Sequence, residues 1–161
     1  MNETDLVDDM VALVKKTRFT LDMEDGTAFT FGYHTHANGT PAIGEGSDHD
    51  ATIVGISTPY MVKMLRFATD YVLHIDTTYN LDQSGYPTFG DFSACIALRS
   101  LFDKYKEITG KYPNIHFCMG DADKAQYNAV MNIASTKRQT KGMVKYLMCF
   151  FHVVKNIAEK V

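Results

Sequence analysis

Between Tyr71 and Val161, three apolar strand-like runs alternate with two amphipathic stretches of helical length, and this alternation constrains the fold more than any other feature. In YVLHIDTTYNL, Tyr71, Leu73 and Ile75 point one way, and Val72, His74 and Asp76 the other. From Ala94 to Thr109, Leu98, Leu101, Phe102, Tyr105 and Ile108 recur at threes and fours, which predicts a helix. Gly110 stands where that helix should stop. NIHFCMG reads as a second, buried strand. Asp121 follows it directly and opens a helix carrying Ala125, Ala129, Val130 and Ile133. After the polar connection STKRQTKG, KYLMCFFHVV reads as a third strand that leads into a final helix near Lys155. Strands separated by helices of this length imply a parallel sheet.

The N-terminal part has a different texture. Leu6, Met10, Leu13 and Val14 fall at helical spacing, so Thr4 to Lys16 should form a helix with Thr4 as its N-cap. Phe19, Leu21 and Met23 alternate before Glu24-Asp25-Gly26, and Phe29 and Phe31 alternate after it, which predicts an antiparallel hairpin. His34 to Asp50 has loop composition. ATIVGIS is a strand candidate, and Thr58-Pro59 introduces a helix at Tyr60 with Met61, Met64, Leu65 and Ala68 on one face. The class expected is α/β, with an N-terminal helix, hairpin and approach segment over 1–69 and a core over 70–161.

Apolar residues make up 45% of the 161 and charged residues 22%, enough for a core and too ordered a mixture for wholesale disorder. The net charge of −3 gives no basic surplus, so nucleic-acid binding would need a local patch. Lys137, Arg138 and Lys141 are one small basic cluster, with a solvated loop as the plainer reading. An odd count of cysteines, Cys95, Cys118 and Cys149, fits a reducing compartment better than a disulfide framework. No apolar run is long enough to span a bilayer, and the acidic N-terminus lacks a signal-peptide core, so an intracellular protein without membrane partners is expected.

Two aspartates carry the chemical interest. Asp76 and Asp121 each end an apolar strand, and functional groups in open α/β sheets gather at strand carboxyl ends. If the strands are neighbours, the carboxylates converge as hard oxygen ligands suited to Mg²⁺ or Mn²⁺. Paired ions can activate a water or 3′-hydroxyl and stabilise the leaving oxygen of a phosphodiester. The structural alternatives are an N-cap role for Asp121 and local amide capping by Asp76. Asp76 shares a face with Val72 and His74, where an ionised group costs much unless it is paired or bound to metal. Asp123 could substitute for Asp121 but should face solvent. Cys149 and His152 form a Cys-x-x-His half-site without a second pair at zinc spacing. Alternation along a continuing strand would put them on opposite faces, so they read as core residues. His34 and His36 read as an exposed pair.

In this order the blocks resemble the catalytic core of Mutator-like element transposases. VLHIDTTYNLDQSGYP is similar to that family's first block, MGDADKAQYNAV to its second, and CFFHVVKNI to its Cys-x-x-His block. FTFGYHTHANGTPAIGEGSDHDATIVGIST also resembles the strand-rich approach to such cores. The resemblance implies a truncated ribonuclease H-like core with a mixed sheet and flanking helices. It also implies an Asp-Asp-Glu site using Mg²⁺ or Mn²⁺, transposon-end DNA as partner, and a nuclear location. Asp76 maps to the first catalytic and metal-binding Asp and Asp121 to the second; Cys149 and His152 map to the structural motif.

Two departures shape the functional expectation. The family's catalytic Glu lies well past the Cys-x-x-His block, beyond Val161, and Glu159 is too close to His152 to replace it. The interval from Asp76 to Asp121 is also too short for the two antiparallel strands and long helix that the family places there, which leaves at most one short strand between Pro87 and Leu98. A degenerate or fragmentary transposase, inactive alone and open to self-association, is the expectation. A domesticated DNA-binding or assembly module without catalysis is the alternative.

Overall fold

The computed structural model describes residues 3–44, 52–76, 91–121, 124–136, 144–150, 154 and 157–158. These residues form a mixed α and β structure with four helices and small sheets, in two compact units, 1–63 and 64–161.

In the first unit, helix α1 (Glu3–Lys16) starts ahead of Thr4, which is therefore not its cap. Strand β1 (Phe29–Phe31) does not pair with residues 19–23. It pairs antiparallel with β4 (Gly55–Ser57), matching Phe29 with Ser57 and Phe31 with Gly55. The expected hairpin is thus absent, and residues 19–28 are turns and irregular chain. A small hairpin lies instead inside the segment of loop composition, where β2 (His34–Thr35) pairs with β3 (Pro41–Ala42). His34 and His36 are exposed. Gly55 is required by its partner, because a Cβ there would lie 2.6 Å from the Phe31 ring.

Phe29 anchors this unit by ring contacts with Phe19 and Phe31 at 4.9 and 5.7 Å. Thr30 is buried beside it, and its amide donates to the Thr17 carbonyl at 2.9 Å. Its hydroxyl reaches the Val14 and Thr17 carbonyls at 3.4 Å, so β1 satisfies acceptors that the end of α1 leaves open. Helix α2 (Pro59–Lys63) follows the expected signal. Thr58 caps it by accepting the Met61 amide at 3.2 Å, with Pro59 at its first position.

The second unit realises the alternation read from the sequence. A 3-10 turn (Met64–Thr69) leads into β5 (Val72–His74), followed by α3 (Asp91–Thr109), β6 (Phe117–Gly120), α4 (Lys124–Thr136) and β7 (Lys145–Met148). The strands run parallel in the order β5-β6-β7, so the described part of this sheet is parallel rather than mixed. Helix α3 stops at Gly110, whose φ of 81° supplies the left-handed turn, and the Gly110 amide closes on the Lys106 carbonyl at 2.8 Å. Residues 91–97 are helical; residues 77–90, with the rest of the possible strand remnant, lie outside the described residues. The core joins Ala68, Phe102, Ile115, Cys118, Val130 and Ile133, with Leu73, Ile75 and Leu98 packed against it.

Candidate functional site

The carboxyl ends of β5 and β6 define the site. These strands are direct neighbours, with Leu73 opposite Cys118 and His74 opposite Met119. The Ile75 amide continues the ladder to the Met119 carbonyl at 2.8 Å. Asp76 and Asp121 each lie two residues beyond the His74–Met119 pair, so they leave the sheet in step on strands about 4.8 Å apart. The structure therefore brings these two candidate residues to one end of one sheet.

Their environments differ. Asp121 is buried, at 8% exposure, whereas Asp76 is exposed. The face expected to make the Asp76 charge costly is therefore exposed. Leu73 and Ile75 pack on the core, while Val72 and His74 lie on an exposed face, so Asp76 pays no burial penalty that a metal would have to offset. The described part of α4 begins at Lys124, and residue 122, which directly follows Asp121, lies outside the described residues. Asp123 lies outside the described residues.

A polar group missed from sequence holds the backbone at Asp121. The Asp121 amide donates to Gln126 Oε1 at 3.0 Å, and the Tyr146 hydroxyl donates to the Asp121 carbonyl at 3.1 Å. Tyr146 Oη also lies 3.4 Å from Gln126 Oε1. Gln126 is 3% exposed, and the Tyr146 ring meets Tyr127 edge-on at 5.4 Å. Gly120 makes room for this group: a Cβ there would collide with the Tyr146 hydroxyl and lie 2.6 Å from Gln126 Oε1. The available sequence signal was a Gln early in the helix after a strand-end Asp, a relative of the capping-box pattern.

Strand β7 ends at Met148, and Phe150 is already helical. The expected strand KYLMCFFHVV thus stops at Met148, and strand alternation does not extend through Cys149. Cys149 is half-buried, and its amide donates to the Gly120 carbonyl at 2.8 Å, beside the Asp121 strand end. His152 and the basic residues Lys137, Arg138 and Lys141 lie outside the described residues. Cys95, Cys118 and Cys149 are free thiols.

The donor chemistry at the strand ends suits a hard divalent cation. Mg²⁺ commonly takes one or two protein carboxylates and keeps several waters. Among the described residues, no three or more His, Cys, Asp or Glu side chains gather as a fuller ligand set. The apolar void beside Leu73, Phe102, Val130 and Ile133 is about 10 Å³, a packing defect rather than a ligand pocket. No described helix is long and apolar enough to cross a membrane.

No family model, no curated protein and no solved structure matches this chain. The transposase resemblance therefore rests on its three ordered sequence blocks.

Proposed function

We propose that this chain is a fragment or degenerate relative of a Mutator-like DDE transposase, with residues 70–161 as an incomplete ribonuclease H-like core. The observation that supports it most is the in-step placement of Asp76 and Asp121 on neighbouring parallel strands. In this reading Asp76 and Asp121 hold Mg²⁺ or Mn²⁺ at the strand ends, and the partner is transposon-end DNA in the nucleus. The cation, when bound, would polarise a phosphoryl oxygen and favour ionisation of an attacking water. Asp121 would contribute a ligand fixed by its buried surroundings, and Asp76 a ligand reached from solvent. Cys149 and His152 belong to the structural motif in this proposal.

Polypeptide 1–161 is expected not to cleave DNA by itself. Two-ion phosphoryl transfer needs carboxylates enough to hold both ions against their repulsion, and this proposal places only two at the site. Misplacement of about 1 Å can cost on the order of 10²-fold in rate, so a missing ligand should cost more. The test is nicking of supercoiled DNA with Mg²⁺ and Mn²⁺, comparing the chain with Asp76→Ala. Equal background in both agrees with a silent core. Activity lost in the variant would replace it with an active nuclease. Tight DNA binding without cleavage, unaffected by Asp76→Ala or by the metal, would favour the assembly-module alternative.

A further inference from the structure

We infer that Gln126 and Tyr146 are positioning residues that set where the Asp121 carboxylate leaves the sheet. The inference rests on the proposed cation-binding role of Asp121 and names the groups that orient it. In a continued parallel ladder the Asp121 amide would turn toward β5, as residue 119 does in accepting from Ile75. Instead that amide donates to the Gln126 side chain, while the Tyr146 hydroxyl holds the carbonyl of the same residue. Both backbone groups of Asp121 are thus gripped from outside the ladder, one by α4 and one by β7.

The strand ends at Gly120, and the grip requires glycine there because a Cβ would occupy the space of both gripping groups. Gln126 is almost completely buried and Tyr146 is packed against Tyr127, so neither can swing freely. A ligand whose backbone is held at both ends keeps one direction, which is the service that outer groups give to metal ligands.

The experiment uses the full 161-residue chain and Mn²⁺ alone, read by paramagnetic broadening of backbone amide resonances and by Kd. Wild type should show broadening centred on Asp76 and Asp121, lost in Asp121→Asn. Absence of that broadening would overturn the cation reading, and this inference with it. Given wild-type binding, Tyr146→Phe and Gln126→Met should each weaken Kd about tenfold or more. Tyr112→Phe is the control, since it removes a hydroxyl bond, at 3.0 Å to Asp103, in the same unit. It should leave Kd unchanged. If Tyr146→Phe and Gln126→Met shift Kd no more than Tyr112→Phe does, the positioning role is wrong while the cation reading stands. Tyr146→Phe keeps the ring against Tyr127, so the test survives even if Gln126→Met does not fold.

Discussion

The units 1–63 and 64–161 make their sheets by different routes. Among the described residues of the second, each pair of neighbouring strands is consecutive in the chain and separated by a helix. Among the described residues of the first, β1 skips β2 and β3 to pair with β4, and the two-residue strands β2 and β3 pair with each other. A parallel βαβ arrangement announces itself by the change of period from two to three and four, because strand and helix each present an apolar face to one core. Antiparallel pairing between distant short strands has no such local signature. Its partners are chosen by packing, here of Phe29 and of Gly55 under Phe31.

The largest effect expected from this difference is in the two cores. Phe102→Ala should cost about 3–5 kcal/mol by lost transfer energy and a residual cavity. Urea unfolding followed by hydrogen exchange should show the loss in α3, α4 and β6, where Phe102 belongs to the core cluster. Phe29→Ala should cost a similar amount, with loss of protection in β1 and β4. Equal deprotection of all strands by either substitution would break the comparison, because the chain would then unfold as a single cooperative body.

The glycines sharpen it. Gly120→Ala and Gly55→Ala both insert a methyl into occupied space, and overpacking commonly costs about 1–3 kcal/mol. Gly120 faces two hydrogen-bonding groups, one on buried Gln126, so relief there breaks a polar network. Gly55 faces a half-buried ring that can tilt. Gly120→Ala is therefore expected to be the more destabilising of the two in thermal unfolding. The reverse order would mean that the Gln126–Tyr146 group yields more easily than the Phe31 ring.

What was legible in the sequence follows the same division. The periodicity of Leu98, Phe102, Val130 and Ile133 predicts helical positions in the second unit, and these residues lie in or against its core. The stop at Gly110 was read from residue type and is realised by a positive φ. Alternation at Phe19, Leu21 and Met23 predicts a strand, but residues 19–28 are turns and irregular chain and no 19–31 hairpin forms. Phe19 instead packs against Phe29 from irregular chain, and Leu21 is exposed. At the site, the two strand-end aspartates were legible because strand pattern fixes their place. The Gln126–Tyr146 grip was not, since it joins β7 to the start of α4 across an interval that no local rule covers.

A smaller effect is expected at Thr30, the seam of the first unit. Thr30→Val keeps the shape and removes the hydroxyl that reaches Val14, Thr17 and the Thr17 side chain. Those contacts are 3.1 to 3.4 Å long, so the loss should be about 1 kcal/mol by chemical denaturation. A neutral result would assign the seam to packing of Phe29 alone.

The smallest effect is expected from the titration of Cys118, which is silent at neutral pH and separates the units. This thiol is fully buried in the second unit, and burial pushes its pKa up to about 11 from an ordinary 9.0. The first unit's resolved shift is in the opposite direction: at exposed Asp22, the Thr20 hydroxyl holds the carboxyl below its usual value. For Cys118 the sign is fixed by proton counting. Below pH about 9 folded and unfolded chains both carry the thiol proton, so stability is unaffected. Between about 9 and 11 the unfolded chain releases it while the folded chain keeps it, so stability falls as pH rises. Lys and Tyr groups titrate in the same window, so the measurement is a difference of slopes between wild type and Cys118→Ala. The alanine variant should be less stable throughout because it leaves a void, yet its stability should fall less steeply above pH 9. In native protein at neutral pH, a thiol reagent should modify half-buried Cys95 and Cys149 while Cys118 waits for unfolding. Parallel slopes, or prompt native-state labelling of Cys118, would show that the β5-β6-β7 core opens to water more readily than its packing implies.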